Sequence, residues 1–114
     1  MTKSEERPWG RYEVVDEATS HKIKRIWVNS GQQLSYQRHK FRAEHWFIIA
    51  GIGIAVVEGH EIGIHAGSTV DIAIGQLHRV RNSGDEELIF IEVQTGTYFG
   101  EDDIERVEDD FGRA

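Results

Sequence analysis

The chain has no cysteine, a single proline and a single methionine among its 114 residues. Without cysteine there is no disulfide, no thiolate metal site and no thiol nucleophile, so any chemistry must use nitrogen and oxygen donors. The same absence fits a reducing compartment, and a cytoplasmic location is expected. No stretch approaches the ~20 consecutive apolar residues of a membrane span, and the opening MTKSEERPWG carries no apolar leader, so no membrane partner is expected. A net charge of -7 argues against nucleic acid as a partner, because gripping a phosphate backbone takes many clustered cations. What is present, 39% hydrophobic and 29% charged residues, suits one ordinary domain with a single core.

The lone proline falls in Arg7-Pro8-Trp9-Gly10, where a fixed φ followed by a permissive glycine bends the chain and pins Trp9 against the body. Residues 1–6 read as a frayed polar tail, 7–100 as the body and 101–114 as an acidic segment. Within the body, short alternating stretches recur near 11–15, 21–28, 33–39, 44–50, 53–58, 61–65, 69–72, 78–81 and 87–94. Turn signals such as Asn29-Ser30-Gly31, Glu58-Gly59 and Asn82-Ser83-Gly84-Asp85 separate them, which predicts an all-β domain of jelly-roll or small-barrel form. The acidic stretch from Asp102 to Asp110 reads as a short helix or a loop.

The densest chemistry lies in GQQLSYQRHKFRAEHWFIIAG, from Gly31 to Gly51. Gln37 and His39 are two apart and share a strand face, Glu44 follows a turn-like KFRA, and His78 stands far downstream in GQLHRVRN. Three clustered ligand types and one distant are what a metal site between two hairpins of a barrel requires. The mixed nitrogen and oxygen set suits one divalent ion, whether zinc, manganese, iron, cobalt or nickel. The surrounding stretch is basic, with Lys22, Lys24, Arg25, Arg38, Lys40 and Arg42 and no acid between, which favours a small anionic ligand over a polyanion.

The spacing of the two glycine-bounded segments, Gly31 to Gly51 and Gly67 to Asn82, resembles the paired motifs of the cupin superfamily, the double-stranded β-helix proteins. Gln37 stands where the first motif usually has histidine, and Ala73 where the second usually has proline. RPWG, KIKR, QRHKFRAEHW and EVQTGTYFGEDDIERVEDDFGR narrow the likeness to the cupin domain of type II mannose-6-phosphate isomerases, in which glutamine at the position of Gln37 is common. That domain often follows a mannose-1-phosphate guanylyltransferase in one chain. No glycine-rich nucleotide-binding segment is found here, so sugar-nucleotide synthesis is not expected.

The resemblance implies a metal-dependent isomerase of mannose 6-phosphate and fructose 6-phosphate, its metal on Gln37, His39, Glu44 and His78. A non-catalytic sugar-phosphate-binding cupin, a dioxygenase and an isomerase of another sugar phosphate are the alternatives. Isomerisation needs a base, stabilisation of an enediolate and a phosphate anchor. Arg42, on the turn between ligand-bearing strands, is a candidate contact for the phosphate or the oxyanion. Lys24 is another, if it turns inward against an anion rather than outward to solvent. Glu92 is a candidate base if its face of the last long strand lines the cavity. Finally, the run Trp46-Phe47-Ile48-Ile49 puts an apolar stripe outward as well as inward, and a homodimer is expected to hide it.

Overall fold

Alternation is the organising property of the longer strands. In the stretches His21–Val28, Arg42–Ala50 and Leu88–Gly96 the even-numbered residues through Val28, Ile48 and Gln94 are buried, because a pleated strand sends successive side chains to opposite faces. The computed structural model describes residues 3–112, so the expectations for residues 1–2 and 113–114 fall outside the described residues. It contains eleven strands: β1 (Lys3–Arg7), β2 (Gly10–Glu17), β3 (His21–Val28), β4 (Tyr36–Arg38), β5 (Arg42–Ala50), β6 (Ile52–Val57), β7 (His60–His65), β8 (Thr69–Ile72), β9 (His78–Asn82), β10 (Leu88–Gly96) and β11 (Glu105–Glu108). They form a six-stranded sheet in the order β1-β2-β3-β10-β5-β8 and a five-stranded sheet in the order β11-β4-β9-β6-β7, with every pairing antiparallel.

The two sheets face each other across an interior with two distinct ends. At one end Val28, Ile48, Val80, Leu88 and Phe90 are fully buried, and Trp46 packs against Phe90 with ring centroids 5.1 Å apart. Asn82 closes that end, its Nδ2 donating to the carbonyls of Val28 (2.9 Å) and Glu86 (2.7 Å). At the other end the same ladder turns polar. Lys24 lies opposite Glu92 and Lys22 opposite Gln94 on β3 and β10, while Gln94 lies opposite Glu44 on β5. All five are buried.

Both ends of the chain depart from the expected layout. Lys3–Arg7 is not a frayed tail but an edge strand paired along its whole length with β2. Glu105–Glu108 is neither helix nor loop but an edge strand on β4. Their charged sequences, KSEER and ERVE, suit edges, where solvated side chains discourage further pairing. The β6–β7 hairpin turns as expected at Glu58-Gly59, with φ of 48° and 79° respectively, the left-handed pair that a two-residue hairpin loop requires. Trp9 is buried beneath its Pro8 bend, joining the core and one wall of the polar interior.

Candidate metal centre

Four backbone segments converge on the polar end. β4 carries Gln37 and leads directly into His39, β5 begins with Arg42 and Glu44, β9 begins with His78, and the stretch before β11 reaches His39, Lys22, Lys24 and Arg42. Gly75, in the loop before β9, donates its N–H to the His39 carbonyl (2.9 Å), tying the two histidine-bearing segments together. His39, Glu44 and His78 are each at most 5% exposed, and one potential ligand atom from each lies within 4.8 Å of the others.

The imidazole orientations fit a cation. His39 Nδ1 lies 2.6 Å from the Asp103 carbonyl and His78 Nδ1 lies 2.9 Å from the Gln76 carbonyl. A carbonyl only accepts, so each Nδ1 carries the proton and each Nε2 turns a lone pair to the centre. There His39 Nε2 is 2.9 Å from Glu44 Oε2 and His78 Nε2 is 3.6 Å from Glu44 Oε1, and neither contact has the geometry of a well-formed hydrogen bond. Two buried, unpartnered lone pairs beside a buried carboxylate are an incomplete arrangement that a single divalent ion satisfies. The nitrogen and oxygen donors suit the borderline transition metals without distinguishing among them.

Electrostatics agree. Burial alone would push the Glu44 carboxyl up, but positive charge placed beside it at His78 and then at His39, with a hydrogen bond from Glu92, outweighs it and holds Glu44 well below the usual carboxylate range, a charge that a bound cation would supply with the rings neutral. Burial pushes His78 down, against the attraction of Glu44, which favours the neutral ring that a metal needs. Glu44 Oε1 also accepts from Trp46 Nε1 at 3.0 Å, fixing the carboxylate in the strand.

Around this centre opens a cavity of about 60 Å³ lined by Tyr12, Lys24, Gln37, Arg42, Glu92 and Glu101, among others. Glu92 is buried, and that burial together with the neighbouring Glu44 charge pushes its carboxyl up to about 8. Gln94 Nε2 donates to Glu92 Oε2 at 2.7 Å. Arg42 donates from a guanidinium nitrogen to the Gly100 carbonyl at 3.0 Å and lies 3.8 Å from Glu44 Oε2. The Lys24 ammonium sits 4.1 Å from the centre of the Tyr12 ring, a cation over an aromatic face.

The family model described as mannose-6-phosphate isomerase C-terminal matches residues 1–109. The chain belongs to this family. Its relatives include the alginate biosynthesis protein AlgA of Pseudomonas syringae, 44% identical over 108 residues, and the xanthan biosynthesis protein XanB of Xanthomonas campestris, 44% identical over 109 residues. A mannose-1-phosphate guanylyltransferase of Salmonella montevideo is 41% identical over 107 residues. These matches cover 94–95% of this chain but only 22–23% of each relative, so the chain spans less than a quarter of their length. Among solved structures, a Klebsiella pneumoniae protein described as having a double-stranded β-helix domain aligns with a TM-score of 0.74 at 25% identity, covering 84% of this chain and 82% of that one. CapF of Staphylococcus aureus, at 16% identity and a TM-score of 0.78 over 95% of this chain and 34% of its own, shares the fold. The two-sheet, all-β architecture is thus the expected cupin double-stranded β-helix.

Within this family fold, Gln37, His39, Glu44, His78, Arg42, Lys24 and Glu92 all lie at the polar end. Gln37 pairs in register with His78, and its Oε1 accepts from the Ser35 hydroxyl at 2.7 Å. His45 points away from Glu44 to the exposed face, where it pairs with Asp71. Two further participants escaped sequence reasoning. Glu101 bridges Lys24 (2.8 Å) and Lys22 (3.1 Å) through one carboxylate oxygen, and Asp103 is buried against the turn after His39. Two inward lysines demand an anionic partner, and the acidic Glu101-Asp102-Asp103 was the available signal.

Proposed function

We propose that this domain interconverts mannose 6-phosphate and fructose 6-phosphate at a single divalent metal ion. The observation that carries the reading is the buried His39, Glu44 and His78 donor set beside a cavity walled by Lys24, Arg42 and Glu92. Family membership supplies the substrate pair.

The charge balance supports an anionic substrate. Three buried cations, Lys22, Lys24 and Arg42, face the carboxylates of Glu44 and Glu101 and the Glu92 carboxyl, which burial and the Glu44 charge keep largely protonated near neutral pH. A divalent ion added to that set makes the site net positive, which suits a phosphate dianion. The cavity holds only about 60 Å³, so a sugar phosphate enters by displacing the Glu101 carboxylate from the lysine pair.

When bound, the metal polarises the substrate carbonyl and lowers the cost of removing the adjacent proton. Gln37, which pairs in register with His78, would complete the set holding the ion through its amide oxygen. Arg42 and Lys24 hold the phosphate and the developing oxyanion, the guanidinium binding two oxygens at once. In its ionised form Glu92, oriented by Gln94, takes the proton from one carbon and returns it to the neighbouring one. The protein acts in the cytoplasm, where a cysteine-free chain and a phosphorylated metabolite fit together, with neither nucleic acid nor membrane as partner.

A homodimer completes the proposal. The outer face of the six-stranded sheet carries Trp27, Phe47, Ile49, Ile89, Ile91 and Val93, and Phe47 and Ile49 are 44% and 46% exposed. A second copy of that face would cover them.

The test is a coupled assay of mannose 6-phosphate conversion on chelator-stripped protein, with each divalent metal restored in turn beside His39→Ala and His78→Ala. Metal-restored turnover lost in both variants is the expected result. Folded, metal-loaded protein without turnover would sink the isomerase reading and leave a sugar-phosphate-binding module.

A further inference from the structure

Asp103 makes hydrogen bonds to three consecutive residues. Its Oδ1 accepts from the Lys40 amide at 2.8 Å, its Oδ2 from the Phe41 amide at 3.0 Å, and its backbone carbonyl from His39 Nδ1 at 2.6 Å. It is 7% exposed, while Glu101 and Asp102 beside it are exposed. Burying a carboxylate is costly unless its oxygens are satisfied, and here both are satisfied by the turn that follows His39.

We propose that Asp103 is a positioning residue of the metal centre, its carboxylate gripping the 40–41 turn so that its own carbonyl holds the His39 ring with Nε2 toward the ion. The inference rests on the metal reading of His39, Glu44 and His78. The two histidines differ in how they are held. His78 is oriented by Gln76, two residues away in its own loop, so its geometry is local. His39 is oriented by a residue 64 positions downstream. Free rotation about two side-chain bonds would let an unheld His39 ring turn its Nε2 away or exchange its tautomer. The carboxylate prevents that by docking the segment before β11 at the His39 turn, while the Phe99 and Gly100 carbonyls accepting from Lys22 and Arg42, and Glu101 on the two lysines, hold its other side. The acidic segment thereby becomes part of the metal centre's support.

The test compares Asp103→Ala, Asp103→Asn and the exposed neighbour Asp102→Asn with the parent protein, using two readouts. In metal-free protein, nitrogen-15 correlation spectra of the imidazoles report the His39 tautomer. Calorimetric titration with zinc or manganese alone reports affinity. The expected result is a single Nδ1–H tautomer for His39 in the parent and in Asp102→Asn, and a mixture in Asp103→Ala. Metal affinity should fall by about 10–100-fold in Asp103→Ala, the usual effect of losing a partner behind a ligand. Asp103→Asn keeps one acceptor and should fall between; it decides the question if the alanine variant does not fold. Unchanged tautomer and affinity within twofold in the Asp103 variants would overturn the proposal, as would an equal loss in Asp102→Asn. If the parent binds no metal, the metal reading fails by itself, and the His39 tautomer still decides the role of Asp103.

Discussion

Lys24 and Glu101, 77 positions apart, meet with the ammonium 2.8 Å from a carboxylate oxygen that also takes Lys22 at 3.1 Å. Partial burial pushes the Glu101 carboxyl up, but the two lysines outweigh it and hold it at about 2. A carboxyl held lower in the folded chain than in the unfolded one stabilises the fold above the unfolded value of about 4.5, and that contribution is lost as pH falls toward 2. Glu101→Gln should therefore flatten part of the acid limb. Thermal unfolding of both proteins between pH 6 and pH 2 checks this, and parallel curves would count against the assignment.

Metal binding should raise the melting temperature, because the donors converge only in the folded chain. At a free concentration of 100 times the dissociation constant, linkage gives about 2.7 kcal/mol. His78→Ala and Glu44→Gln should lose most of that response. An equal shift in parent and variants by scanning calorimetry would place the ion elsewhere.

Two glycines should respond oppositely to the same change. A Cβ on Gly96 would lie 2.1 Å from the Phe41 carbonyl oxygen, on backbone that cannot yield easily, whereas one on Gly63 meets nothing within 4 Å. Gly96→Ala should cost about 1–3 kcal/mol or more. Gly63→Ala should be close to neutral, and denaturant unfolding measures both.

The apolar end of the interior is expected to dominate stability. Phe90, with no exposed surface and packed on Trp46, should cost about 3–5 kcal/mol when cut to alanine. Urea unfolding checks the figure, and a cost below 1 kcal/mol would mean the cavity collapses.

Phe47→Glu on the outer face tests the dimer. Light scattering at micromolar concentration should show a dimer for the parent and a monomer for the variant. A monomeric parent would remove the interface.

The strands that alternate strongly were readable from the chain because their period is written in residue type. β3 and β10 show it most clearly: the buried phase runs from Lys22 and Lys24 into Ile26 and Val28 in β3, and from Leu88 and Phe90 into Glu92 and Gln94 in β10. β1 and β11 were not readable, since an edge strand of exposed charges buries too little to leave a period. The same distinction holds at the site. Gln37, His39, Glu44 and His78 stand at informative spacings, whereas Glu101 and Asp103 reach it from a loop. Their partners Lys22, Lys24, His39, Lys40 and Phe41 lie 62 to 79 positions earlier, a separation at which local pattern carries no signal.

The sheet order has a consequence for assembly. β10 is the last long strand in the chain, yet it lies between β3 and β5, which have no hydrogen bonds to each other. Lys24 and Glu44 are therefore neighbours only through a strand that follows both by more than forty residues. Until it inserts, β3 and β5 each present an open edge, with Ile26 and Trp46 unshielded, to any other chain nearby. The interval between the appearance of β5 and the arrival of β10 is thus the period when this protein is most exposed to aggregation, and conditions that lengthen it should lower the yield of folded material before they affect the finished molecule.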